Sequence, residues 1–211
     1  MKRKKYLFAI ATVLSLMLAS CGGTSDTKKD MAANEGFQEA DVIGDFADLP
    51  PNEDNYVNPF SDVDNPENYN ILALAAKDAN FSTFRRLAAM GNLDLILKSD
   101  KNYTVFMPTN EAFKKMPEEK FEKLIDPANR AQLGLFLQRH ILVGKHTPMD
   151  FNETQAIETV AEEEITVSTN NPGDISMVGG AHVIGSGTEA SNGIIYAVDA
   201  IVEPTKDVFT N

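Results

Sequence analysis

The distribution of apolar and polar residues divides the chain into three stretches. The first is an apolar run from Tyr6 to Ser20, preceded by Lys2, Arg3, Lys4 and Lys5 with no acid among them. At about 15 residues the run is shorter than the ~20 a helix needs to cross a bilayer. A basic start, a short apolar middle and small residues at the end predict an export signal over 1–20. The second stretch, from Gly22 to Asn65, sustains no period. Its small polar residues, its acids and Pro50-Pro51 predict a largely flexible, acidic tether over 21–65. Within it, Val42, Ile43, Phe46 and Leu49 have the apolar character of a short docking element.

From Pro66 onward the pattern becomes periodic. Ile71, Leu72, Leu74 and Ala75 predict a helix with Asn70 as its N-cap. Phe81, Phe84, Leu87 and Ala88 recur at helical spacing, and Leu93–Leu97 predicts a third short helix. Tyr103–Met107 is β-rich and stops at Pro108, so it reads as a buried strand. Thr109 is then placed to cap a helical turn, with Glu111 near its positive end. Pro117-Glu118-Glu119 and Asp126-Pro127 each open a further helix. The second of these puts Leu133, Phe136, Leu137 and His140 on one face. After Gly144 the signals are those of strands. Ile165–Thr169 alternates, and Ile175–Val178 and Ala181–Ile184 flank Gly179-Gly180 as a hairpin. Asn192-Gly193 marks a turn into a nine-residue β-branched run, Ile194–Val202. Helices first and strands last predict an α+β domain over 66–211.

Charge narrows the class of partner. The chain has 19 basic and 31 acidic residues, and removing the four basic residues of the signal leaves a net charge of −16. So acidic a surface argues against nucleic acid and anionic membrane surfaces as partners, and favours cationic ones. Cys21 is the only cysteine, so the domain has no disulfide and depends on its apolar core. The sequence around it, Leu18-Ala19-Ser20-Cys21, resembles the lipobox of bacterial lipoproteins. Small side chains at Ala19 and Ser20 let a peptidase approach, and only a thiol takes the thioether-linked diacylglyceride. Each buried CH₂ contributes about 0.8 kcal/mol, so two or more chains hold a protein on a membrane. The expectation is a lipid anchor on Cys21 in the cell envelope. Gly22, rather than an acid, follows it, which is compatible with transfer to the outer membrane, on its periplasmic or surface face.

Three segments together carry a family resemblance. Thr104-Val-Phe-Met-Pro-Thr-Asn-Glu-Ala-Phe113 resembles the first hallmark motif of fasciclin-like domains. Asn192-Gly-Ile-Ile-Tyr-Ala-Val-Asp-Ala-Ile-Val-Glu-Pro204 resembles the second, and Gln138–Lys145 lies where the family has a tyrosine–histidine segment. The resemblance covers the chain from about Asn70 to Pro204, with the segments in order. It implies a β-wedge of two sheets with helices packed on one side. It also singles out Thr104, Phe106, Pro108, Thr109, Asn110, Phe113, His140, Asn192, Gly193 and Asp199 as motif residues, with structural rather than reactive roles. Two positions depart from the family pattern. Arg139 stands where the family has the tyrosine that, with the histidine, is associated with integrin binding in animal matrix members, so the resemblance implies no integrin role here. Tyr196 stands where the last strand often carries a histidine.

The residues that bear chemistry give no catalytic constellation. The chain contains no Gly-x-Ser-x-Gly elbow, phosphate loop or zinc-protease motif, and the expectation is a protein that is not an enzyme and takes no cofactor. His140, His146 and His182 are the only histidines, and no two stand at i, i+4, so no metal site is expected. Gly185-Ser-Gly-Thr-Glu189 reads as a turn, and Glu162-Glu-Glu164 as a solvated acidic turn rather than a calcium loop. His140 reads as a hydrogen-bonded core histidine, and Asp199 either faces water or needs a partner. The resemblance and the tether together point to a membrane-tethered adhesion or binding module that presents its domain to a protein or glycan. The alternative is an envelope structural or accessory lipoprotein that binds a lipid or small ligand.

Overall fold

The computed structural model describes residues 56–171 and 173–205. The export signal, Cys21, the tether up to residue 55, the element at Val42–Leu49 and residues 206–211 lie outside the described residues. Within them, helices α1 (Ile71–Ala75), α2 (Ser82–Met90) and α3 (Leu93–Leu97) come first, followed by strand β1 (Tyr103–Pro108). Helices α4 (Asn110–Lys114), α5 (Glu118–Ile125) and α6 (Arg130–Arg139) follow. The chain closes with strands β2 (Ile141–Val143), β3 (Thr154–Glu158), β4 (Glu164–Asn171), β5 (Asp174–Val178), β6 (Ala181–Ala190) and β7 (Gly193–Val198).

The strand order is β2-β1-β7-β6-β5-β4-β3. β1 and β7 run parallel, and the other neighbours are antiparallel. The long strand β6 belongs to two sheets: Ala181 and His182 pair with β5, and the strand pairs with β7 from Val183 to Ala190. Within the pairing with β7 its register shifts between Ile184 and Thr188, and the chain bends there. Two sheets joined through one bent strand make a wedge, with the helices on one flank, which is the architecture the sequence implied.

β1 and β7 are apolar apart from Thr104 because both of their faces are covered. Val105, Met107, Ile195 and Ala197 face a core shared with Ile71, Phe81, Phe84, Leu87, Phe113 and Leu137 of the helical layer. Phe106, Ile194, Tyr196 and Val198 face a second core between the sheets, with Ile165, Val167 and Val178. Phe106 and Tyr196 stack there with ring centroids 5.8 Å apart.

The structure corrects the expected boundaries in three places. Residues 56–65, placed in the tether by their lack of period, belong to the folded unit. Phe60 is 5% exposed and stacks on Phe81 at 5.1 Å, and the Tyr56 hydroxyl donates to Asp78 at 2.6 Å. Two aromatic side chains in an irregular strap leave no period in the sequence. The last strand stops at Val198 rather than Val202, because Asp199 turns away to other partners. The glycine-rich stretch at 185–189 is the bend within β6 rather than a turn between strands. Gly185 adopts φ +66, and a side chain on it would run into the strap at the Val57 carbonyl (2.7 Å) and Pro59 (2.9 Å).

Candidate functional site

Thr109, Asn110, Phe113 and Asn192 lie along the seam between helices and sheet. Thr109 follows β1 and caps α4, its hydroxyl accepting from the Ala112 N–H at 3.4 Å. Asn110, buried, reaches across to α2, whose first turn has no cap of its own. Its Oδ1 accepts from the Thr83 N–H (3.0 Å), and its Nδ2 donates to the Ala79 carbonyl (3.0 Å). One amide therefore ties the start of α2 to the end of β1. Phe113, on the same short helix, meets Phe121 and Phe136 in the helical core. Pro108 ends β1 opposite Val198, and the next N–H, that of Thr109, makes the last bond to β7 at the Val198 carbonyl (3.1 Å).

Asn192 does the same work at the other end of the sheet. Its Oδ1 accepts from the Ile71 N–H (2.8 Å) at the start of α1, and its Nδ2 donates to the Leu97 carbonyl (2.9 Å) at the end of α3. Gly193 follows at φ +155, and a Cβ there would overlap the Tyr103 carbonyl oxygen. Only glycine allows β1 and β7 to start side by side. Thr104 fixes the loop after β2: its hydroxyl donates to the Gly144 carbonyl (2.9 Å) and accepts from the His146 N–H (2.8 Å). Asp199 has partners on both sides. Its Oδ1 accepts from the His182 N–H at 2.8 Å, and Lys115 Nζ lies 3.2 Å from its Oδ2.

His140 ends α6 with its side chain wholly buried. Nδ1 lies 2.8 Å from the Phe136 carbonyl, and Nε2 lies 3.3 Å from the Val202 N–H. A carbonyl on one side and an N–H on the other fix the neutral ring with its proton on Nδ1. Burial drives its pKa down to about 4, with the Phe136 bond opposing the shift and the Arg139 charge adding to it. Arg139 itself forms a two-pronged pair with Glu163, Nε to Oε2 and Nη2 to Oε1 (3.0 Å). The pair raises the guanidinium pKa and lowers that of the carboxyl. So the residue in the tyrosine's place pins the β3–β4 turn to α6, and Glu163 is engaged rather than left to an acidic loop. Tyr196 packs inward, its hydroxyl donating to the His146 carbonyl at 3.0 Å, and burial pushes its phenol pKa up.

The sequence did not single out the strap and the cavity beside it. A cavity of about 310 Å³ lies where the strap meets the α1–α2 connection, lined by Tyr56, Asn58, Asp62, Lys77, Asp78 and Asn80 among others. Asp78 organises it, accepting from the Tyr56 hydroxyl (2.6 Å), the Asn80 N–H (2.9 Å) and the Asn80 side-chain amide (2.9 Å).

A wedge of two sheets sharing a strand, flanked by helices and pinned by inward-turned polar motif residues, defines an α+β scaffold whose motifs build the fold. The model of the Fasciclin domain family matches residues 79–204, and the chain belongs to that family. It is 32% identical over 133 residues to the uncharacterized protein sll1735 of Synechocystis sp., covering 63% of this chain and 96% of that protein. It is 33% identical over 136 residues to protein sll1483 of the same organism, covering 64% and 73%. It is 29% identical over 137 residues to transforming growth factor-beta-induced protein ig-h3 of Sus scrofa, covering 64% of this chain and 19% of that one.

Proposed function

We propose that this chain is a lipid-anchored, non-enzymatic adhesion or binding module that presents its fasciclin domain to a protein or glycan partner. One observation carries the reading. The polar residues that family resemblance singles out (Thr104, Thr109, Asn110, His140, Asn192 and Asp199) are each engaged in bonds to other parts of the same chain. Residues so engaged hold a scaffold, and binding then falls to the outer surface. The acidic stretch before the domain and the lipobox-like Cys21 add reach and attachment. Fully extended, the 34 residues from Gly22 to Asn55 would span about 110 Å, and as a coil roughly 30–35 Å. The anchor places the domain at the cell envelope, on the periplasmic or surface face of the outer membrane.

Protease added to intact cells should remove the domain. Complete protection in intact cells, lost on permeabilisation, excludes a direct adhesion role. Mass spectrometry of the mature N-terminus should find acylated Cys21, and an unmodified thiol there refutes the anchor. The cavity beside the strap favours a second reading, a module that binds a small ligand. Its lining of Asn58, Asp62, Lys77 and Asn80 suits a small polar molecule better than an acyl chain.

A further inference from the structure

The sheet order leaves two terminal strands, β2 and β3, and their outer edges differ. In β2, Leu142 bonds inward to β1, so Ile141 and Val143 point their backbone groups outward. Both outward carbonyls are taken: Ile141 accepts from the Val160 N–H at 2.8 Å, and Val143 is met by His146 Nε2 at 3.0 Å. The carbonyls of that edge are occupied by the protein's own residues. In β3 the bonds from Thr159 N–H to the Glu163 carbonyl (2.9 Å) and from Thr169 N–H to the Glu153 carbonyl (2.9 Å) fix the alternation. Gln155 and Ile157 therefore bond inward to β4, while the N–H and C=O groups of Thr154, Ala156 and Glu158 point outward. Among the described residues no backbone group bonds them, and the three residues are exposed. β3 presents an open row of donors and acceptors, the template on which another strand adds.

Charge restricts what can add. From His146 to Thr205 the sequence holds ten Asp and Glu and no Lys or Arg. Glu163, Glu189 and Asp199 of these pair with Arg139, Lys145 and Lys115 from the other half of the domain. Around the β3 edge, Glu153, Glu158, Glu162 and Glu164 are exposed, and none is ion-paired among the described residues. Glu158 and Glu164 lie directly opposite each other across the β3–β4 ladder, a like-charge pair that destabilises the hairpin when no cation lies near. The same charges repel the β3 edge of a second copy and attract a cationic strand.

We propose that the outer edge of β3 docks an extended segment of a protein partner bearing Lys or Arg at alternate positions, which adds as an eighth strand. The proposal rests on the binding-module reading and specifies the partner's chemistry. Its test is done in solution and is independent of lipidation and of surface display. The probe is a synthetic peptide of about ten residues alternating Lys and Val, a typical strand length or slightly longer, mixed with the full chain. Thr154, Ala156 and Glu158 amides should become protected from hydrogen exchange, and binding should weaken with added salt. Ala156→Pro removes an outward N–H that no ladder bond uses and should weaken binding about tenfold or more. Glu158→Gln with Glu164→Gln keeps the edge and should weaken it about fivefold. A peptide methylated on every backbone nitrogen can pair along neither edge, which keeps the test decisive if the proline variant does not fold. Equal affinity of that methylated peptide, equal binding of an alternating Glu-Val peptide, protection confined to other elements, or self-association of the chain through β3 each overturns the proposal.

Discussion

His140→Ala separates a structural histidine from a functional one. The ring occupies a fully buried site and bonds two backbone groups, the Phe136 carbonyl and the Val202 N–H. At the end of α6 the His140 N–H turns back to Leu137, so the Phe136 carbonyl depends on the ring. Alanine leaves both groups buried and unpaired, at about 1–3 kcal/mol each. The vacated volume adds to this, and a loss of about 3–5 kcal/mol at pH 7.5 is expected. The wild type carries a second signature. The folded pKa is about 4, against an ordinary 6.5, so the unfolded chain takes up the proton first. Stability from this group is complete above about pH 6.5 and falls as pH drops from there toward 4, by roughly 3 kcal/mol in total. It then levels once both states are protonated. The carboxylates Glu119, Asp150 and Glu163, whose pKa values are lowered, also lose their contribution on acidification, but they do so in both proteins. Urea unfolding of wild type and His140→Ala between pH 7.5 and 4.5 should therefore show a gap that narrows as pH falls. A gap that stays constant, or no gap at pH 7.5, refutes the buried neutral ring.

Three other substitutions probe the remaining pins. Gly193→Ala sets a methyl group against the Tyr103 carbonyl and should cost more than about 4 kcal/mol, read as failure to fold or a large fall in Tm; near-wild-type melting contradicts the close approach. Asn110→Ala removes the cap of α2 and strands the Ala79 carbonyl, for about 2–4 kcal/mol in urea unfolding, whereas Asn110→Asp keeps the bond from Thr83 and should fall in between. Phe60→Ala frees the strap from Phe81, so limited proteolysis should cut within residues 56–65 about tenfold faster while the rest of the domain resists; unchanged resistance shows that the strap is held some other way.

How legible each element was in the sequence follows from how it is buried. β1 and β7 lie between two cores, so nearly every position must be apolar, and both runs stand out. The short helices were visible through their caps at Asn70 and Thr109, which bond their own next turn. The β5–β6 hairpin was visible at Gly179-Gly180. β3 was not, because an edge strand with exposed Thr154, Ala156 and Glu158 has little apolar surface to reveal it. The strap was hidden for a similar reason, since Tyr56 and Phe60 act singly.

The motif residues mark the limit of what the sequence determines. Read by itself it indicated the α+β class, because capping, periodicity and side-chain size act over a few residues, while the motif residues came from a family resemblance and the attachment at Cys21 from a lipobox-like segment. It left open whether Asp199 faced water, what Asn110 and Asn192 held, and whether His140 carried a charge. Those answers depend on partners far along the chain: Lys115 for Asp199, Thr83 for Asn110, Ile71 and Leu97 for Asn192, Val202 for His140. The choice of which sheet edge stays open also belongs to the tertiary structure. It turns on Val160 reaching Ile141, a contact that only folding the wedge brings about.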